Sequence, residues 1–309
     1  MSIRTVLGDI ESSDLGVTYM HEHLIIDSPI VERDFQHIYL PSIDEGSAEA
    51  SLCYGAGVRS MVDCMPMGSG RNIRKLAEIS KRSKINVIAA TGLHSAKYYL
   101  SDDPIESMST EELAKCFISE IMNGAEESEH KAGIIKVVSS GEKMNDRENR
   151  LFEAAAIAHS VTGAPILTHC EHGVGALSQI KKLQELGVDL SSVVISHTDK
   201  VDDLGYHIDI LQSGICVEYD QALRQIGNAK PASARLTYEV INRGFINQVM
   251  FGSDGARRSL WITLGGTPGL AALYEKWSVT LLRLGITREN IETMFISNPA
   301  KFLSMKAQK

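Results

Sequence analysis

The chain has 309 residues, of which 43% are hydrophobic and 23% charged, and a formal charge of −8 at pH 7. These values describe a globular protein able to bury a sizeable core, with no apolar run long enough to span a bilayer and no basic footprint for general nucleic-acid binding. Five cysteines, an odd number without CxxC spacing, suit reduced thiols, and Met1 to Asp14 carries acidic residues and no apolar leader core, so a cytoplasmic location is expected.

No low-complexity tract, charge block or Pro/Gly-rich linker marks a boundary, so residues 1–309 read as one domain. What recurs is a short β-branched apolar run followed by a longer segment of helical spacing. Eight such runs predict strands at Val17 to Leu24, Val58 to Cys64, Ile85 to Thr91, Gly133 to Val138, Ala164 to His169, Ser192 to His197, Gly214 to Tyr219 and Gln248 to Asp254. Helices are predicted at Ile73 to Ser83, Thr110 to Glu126, Asp146 to Thr162, Gly175 to Leu186, Ala234 to Asn242 and Leu270 to Leu284. Asp146 is the expected N-cap of its helix, and Gly163, Gly187 and Gly244 sit at expected C-terminal caps. Eight alternations with near-continuous apolar strands describe a parallel barrel ringed by helices. The alternative, a doubly wound open sheet, would carry a glycine-rich phosphate turn after its first strand, where His21-Glu22-His23 stands instead.

In such a barrel chemistry sits at the carboxyl ends of the strands, where the loops converge on one mouth. His21 and His23, two apart on a strand, project to one side and suit a divalent transition metal; they read as lying inside their apolar run, as ligands at the bottom of a pocket would. Lys136, His169, His197 and Asp254 fall at or near four other strand ends. Lys136 interrupts a run that should be wholly buried, where an ammonium is costly. It can form a Schiff base, stay a neutral base, or take up carbon dioxide as a carbamate whose two oxygens bridge two cations. With four histidines and Asp254 nearby, the bridge accounts for more residues. Asp63 and Glu218 are expected to orient ligand histidines, and His94 and Lys200 to contact substrate. His37, His130 and His159 read as surface groups, His172 and His207 as structural, and Cys170 as a small buried hydrophobe.

Along nearly its full length the sequence resembles the phosphotriesterase family of the amidohydrolase superfamily. The resemblance rests on His21-Glu22-His23, Lys136, the Thr168-His169 and Ser196-His197 strand ends, Gly252-Ser253-Asp254 and the closing Asn298-Pro299. The segment from Asp254 to Ser259, followed by Gly265-Gly266, looks more like the bacterial homology and lactonase branches than the organophosphate-degrading enzymes. The resemblance implies an α/β fold of the (β/α)8 barrel type. It also implies two divalent metal ions, usually zinc with manganese or cobalt as other options, bridged by a hydroxide and by N6-carboxylysine at Lys136. His21, His23 and Asp254 look like ligands of the more buried ion, His169 and His197 of the more exposed one, with Lys136 shared between them. A homodimer is also implied.

The chemistry expected of that centre is attack of the bridging hydroxide on a lactone or carboxylic ester, with Asp254 passing the proton to the leaving group. Tyr98 resembles the tyrosine that family lactonases place over the metals. Arg224, Arg257 and Arg258 follow strand ends and are expected to hold a carboxylate or phosphate, which points to an anionic sugar lactone. Phosphoester or amide hydrolysis on the same centre, and a barrel that only binds its small molecule, are the alternatives.

Overall fold

Strands that are apolar on both faces need cover on both, and this chain supplies it with helices outside and packed side chains within. The computed structural model describes residues 2–306. A hairpin of β1 (Ser2–Thr5) and β2 (Gly8–Glu11) precedes eight parallel strands: β3 (Val17–Glu22), β4 (Val58–Asp63), β5 (Asn86–Gly92), β6 (Ile134–Ser139), β7 (Ile166–Cys170), β8 (Val193–Ser196), β9 (Cys216–Tyr219) and β10 (Val249–Phe251). They pair in chain order from β3 to β10. The ring is drawn shut where the N–H groups of Ser253 and Asp254, just past β10, donate to the His21 carbonyl at 3.1 and 3.0 Å. Gly252 permits this closure, because a Cβ there would stand 2.5 Å from the His21 Cβ. The result is a single-domain (β/α)8 barrel, as the alternation of runs predicts.

Around it pack α1 (Pro29–Asp34), α2 (Ile43–Gly55), α3 (Ile73–Ser83), α4 (Thr110–Met122), α5 (Asp146–Thr162), α6 (Ala176–Glu185), α7 (Leu204–Gln212), α8 (Ala232–Asn242) and α9 (Ser278–Arg283). The core has two layers that follow the two-residue period of the strands. Met20, Val62, Ile88, Ile134, Leu167, Val194 and Met250 fill the barrel, and Ile3, Leu15, Phe302 and Leu303 join them at its amino end. Tyr19, Met61, Val87, Ile135, Ile195, Val217 and Phe251 face the helices.

Several expectations need correction. The first strand stops at Glu22, so the histidine pair lies at the carboxyl end of its strand and not inside the run. The last strand stops at Phe251, which leaves Asp254 in the following loop. Asn145 caps α5, in a reciprocal pairing with Glu148, and Asp146 is the first helical residue. The segment from Leu270 to Leu284 is not one helix: a π-helical turn, Leu273–Trp277, precedes α9. There the Tyr19 hydroxyl enters the ladder, accepting from the Tyr274 N–H at 2.9 Å and donating to the Leu270 carbonyl at 3.2 Å. Helix α2 escaped the periodicity reading because its buried face is Gly46, Ser47, Glu49, Ala50 and Cys53, with no apolar stripe. Gly163, Gly187 and Gly244 do take the left-handed conformation (φ 71°, 74° and 91°) at helix ends.

One buried ion network ties β5, α3 and α4 together. Arg71 donates to both oxygens of Glu120 at 2.7 and 2.6 Å, to Glu126 at 2.8 Å and to the Ala90 carbonyl at 2.7 Å. Replacing Arg71 by Met strands the Glu120 carboxylate, so urea denaturation should show a loss of about 3–5 kcal/mol. A loss below about 1 kcal/mol would mean that the network adds nothing to stability.

Candidate metal centre

The same period that packs the barrel's interior delivers its polar floor. Lys136, His169, Ser196 and Glu218 each follow an interior residue by two positions, after Ile134, Leu167, Val194 and Cys216. They therefore point inward at the carboxyl end, where β3 adds His21 and the next residues add His23. Between Tyr19 and Glu22 the register of β3 on β4 slips. His21 reaches Glu218 and Ser196 inside, while Glu22 accepts from the Ser253 N–H and hydroxyl on the β10 side. Burial pushes the Glu22 carboxyl up to about 8.

Each of three imidazoles is held from behind by a carboxylate. Glu218 Oε1 lies 2.7 Å from His21 Nδ1, Asp220 Oδ2 lies 2.6 Å from His197 Nδ1, and Glu171 Oε2 lies 2.8 Å from His169 Nε2. That leaves the opposite nitrogens facing inward, and His197 Nε2 and His169 Nδ1 meet at 2.8 Å. Asp254 Oδ1 is 3.5 Å from His23 Nε2 and 4.0 Å from His21 Nε2. His21, His23 and Asp254 place one ligand atom each within 4.8 Å of one another. Burial pushes His21 well below its usual range, with Lys136 and His197 adding to it, and pushes Glu218 well above the carboxylate range. Burial and the neighbouring His197 take His169 down to about 3. These are conditions in which imidazole is an unprotonated donor.

Lys136 is 1% exposed, and its Nζ has no hydrogen-bond partner among the described residues. Burial lowers its amine against the pull of Glu218, Asp254 and Asp220. His23 Nδ1 is likewise buried without a partner. Orphaned donors beside converging lone pairs fit a group that brings positive charge and open coordination sites.

At the mouth, a cavity of about 250 Å³ is lined by His23, His94, Tyr98, His169, Glu171, Lys200, Arg224, Asp254 and Arg257, among others. The expected substrate contacts divide. Tyr98 and Arg257 line the cavity. Arg224 also lines it, but its guanidinium is committed to the carbonyls of Asp220, Ser253 and Asp254 and to Asp254 Oδ2 at 3.2 Å. Arg258 turns away and donates to the Tyr39 carbonyl at 2.7 Å, because the loop is pinned there. Despite burial, His23 and Arg224 hold the Asp254 carboxyl well below its usual range.

Other residues settle similarly. His37 is exposed, as expected of a surface group, and lies on the cavity rim, while His94 and Lys200, expected to contact substrate, also line the cavity. Asp63 does not orient a histidine; it accepts from the N–H groups of Leu24 and Met65 and so fixes the turn after His23. His207 is bonded to Tyr219 and the Val201 carbonyl, and His130 and His159 to the carbonyls of Val6 and Ala164. Burial pushes the Cys170 thiol up, as for an inert packing residue. Asp220 and Glu171 escaped the sequence reading. Each stands two residues beyond an inward residue, Glu218 and His169, and that spacing was the available signal.

The model of the phosphotriesterase family matches residues 1–303. An aryldialkylphosphatase of Saccharolobus solfataricus is 31% identical over 96% of this chain and 97% of its own. A phospho-furanose lactonase of Mycoplasmopsis synoviae is 30% identical over 99% of this chain and 92% of its own. The crystal structure of a lactonase from Listeria monocytogenes superposes with a TM-score of 0.94 at 26% identity, covering 99% of this chain and all of that one.

The unpartnered Lys136 amine burdens the metal-free protein. Lys136→Met keeps the side chain's length and removes the orphan. After chelator treatment the variant should unfold at a higher urea midpoint, corresponding to a gain of about 1–3 kcal/mol in unfolding free energy. An unchanged or lower midpoint would show that the amine is satisfied.

Proposed function

The chain belongs to the phosphotriesterase family, and on that footing we propose that it is a metal-dependent lactonase acting on a sugar lactone that carries an anionic group. The family and the relatives make it a hydrolase of the lactonase and phosphotriesterase type, with a small molecule as substrate. What supports the finer reading is a pair of cations on the rim. Lys200 and Arg257 line the cavity, and neither has an ion-pair partner among the described residues, whereas Lys97 is joined to Glu171 and Arg224 to Asp254. Two free cations above a polar floor suit an anion better than the apolar substituents of a neutral triester. The similarity to a phospho-furanose lactonase agrees with that choice.

His21, His23 and Asp254 would hold one ion and His169 and His197 a second, with Lys136 between them as N6-carboxylysine. The imidazole-rich donor set suits zinc, and manganese or cobalt would also fit. Two divalent cations bound there would polarise the acyl oxygen and lower the pKa of water. The protein's own groups do the rest. Asp254, kept ionised beside Arg224, takes the proton of the attacking water and returns it to the alcohol oxygen that leaves the opened ring. Tyr98 closes one wall of the cavity, and Lys200 and Arg257 hold the anionic end so that the ester bond lies over the floor.

Elemental analysis of the purified protein should find about two metal ions per chain. Lys136→Ala should lose most of them, and retention of two tightly bound ions in that variant would remove the bridging role. On a lactone panel, kcat/KM should favour phosphorylated sugar lactones over uncharged ones by at least about tenfold. Replacing both Lys200 and Arg257 by Met should erase that preference. Asp254→Asn should lower kcat by about 10²–10⁴. Two metals with turnover of phosphotriesters and none of lactones would transfer the assignment to the phosphoester chemistry.

A further inference from the structure

The loop after β5 brings His94 into the cavity with all but one of its polar atoms already engaged. Its N–H donates to the Tyr99 hydroxyl oxygen at 2.9 Å, and that hydroxyl donates to the Met67 carbonyl at 2.9 Å. Its carbonyl accepts from Arg147 at 2.9 Å, and Arg147 is itself gripped by both oxygens of Glu106 at 2.6 Å. The ring is fixed as well: Nδ1 accepts the Ser95 N–H at 2.7 Å. A ring nitrogen that accepts carries no proton, so the single ring proton is on Nε2. The ring stands edge-on to Tyr98 at 4.7 Å and to His169 at 5.1 Å between centroids. Nε2 has no partner among the described residues, although His94 is only 8% exposed and lines the cavity. That nitrogen is not sealed off as His23 Nδ1 is, so an N–H held this rigidly is presented to whatever occupies the cavity.

We propose that His94 is a substrate-binding residue whose neutral Nε2–H donates to a ring hydroxyl oxygen of the lactone, and that this contact separates sugar lactones from unsubstituted ones. The assignment rests on the lactonase reading above. Because the Ser95 N–H selects the tautomer and Arg147 and Tyr99 fix the backbone, the donor is aimed before substrate arrives and little freedom is lost on binding. The donor is uncharged, so it selects a hydroxyl without competing with Lys200 and Arg257 for the anionic end.

The test compares ribono-γ-lactone with γ-butyrolactone on the metal-loaded wild type, His94→Phe and His94→Gln, with the metal content of each measured. His94→Phe keeps an aromatic ring against Tyr98 and removes the donor; His94→Gln returns an N–H. His94→Phe should lower kcat/KM for ribono-γ-lactone by about tenfold or more, chiefly through KM, and leave γ-butyrolactone within about threefold. His94→Gln should recover most of the loss, with metal content equal in all three proteins. Equal losses on both lactones, no loss on either, a Gln variant no better than Phe, or a wild type that opens only γ-butyrolactone would overturn the role of His94. A metal-loaded wild type that opens neither of these lactones nor any phosphorylated sugar lactone would overturn the lactonase reading, and the role with it.

Discussion

An imidazole taken out of water has to be oriented by its neighbours, and for His21, His169 and His197 the carboxyl end of this barrel does so with carboxylates. Glu218, Asp220 and Glu171 each hold one outer nitrogen and thereby turn the other nitrogen of His21, His197 and His169 toward a common centre. β9 ends with Glu218 and Tyr219 and is followed by Asp220, so the two carboxylates, two residues apart, serve histidines from two other strands. Asp220 does more than orient a ring: it accepts the His197 N–H at 2.8 Å, and its own N–H is held by Asp199 at 3.3 Å. Burial and Asp220 raise Asp199 to about 7, so the support beneath the site is itself ionisable.

The second constraint is conformational. His197 and Asp254 have positive φ values, 68° and 44°, a region that side chains other than glycine enter at a cost of roughly 1–3 kcal/mol each. Neighbours keep them there. Asp220 holds the His197 N–H, the His21 carbonyl takes the Asp254 N–H, and Arg224 bonds the carbonyls on both sides of the turn into Asp254. Arg224 thus works mainly as the clamp of the residue expected to move protons. The close passage of Gly252 over His21 serves the same end by letting the last strand reach the first.

Above the floor, the walls are loop residues, the part of such a barrel that is free to vary. His94 and Tyr98 come from the loop after β5, Glu171 from the turn after β7, Lys200 from the turn after β8 and Arg257 from the loop after β10. A rigid floor with independently placed walls lets one barrel serve several hydrolytic chemistries, as the names of the similar proteins illustrate. Among the described residues no helix is long and apolar enough to cross a membrane.

The sequence by itself determined the barrel and the inward set of His21, His23, Lys136, His169, His197 and Asp254. Both are written in local order: a two-residue strand period, repeated apolar runs, and polar residues at their ends. It did not determine where β3 and β10 stop, because strand ends depend on pairing across the barrel closure. Nor did it reveal α2, whose buried face is held by Glu49 bonding to the distant N–H groups of Thr263 and Leu270 and not by an apolar stripe. Only the tertiary structure decided that Arg224 clamps Asp254, that Arg258 faces Tyr39, and that His94 keeps an open Nε2–H. Those outcomes are set by long side chains choosing among partners far apart in the chain, and spacing along a sequence carries no record of that choice.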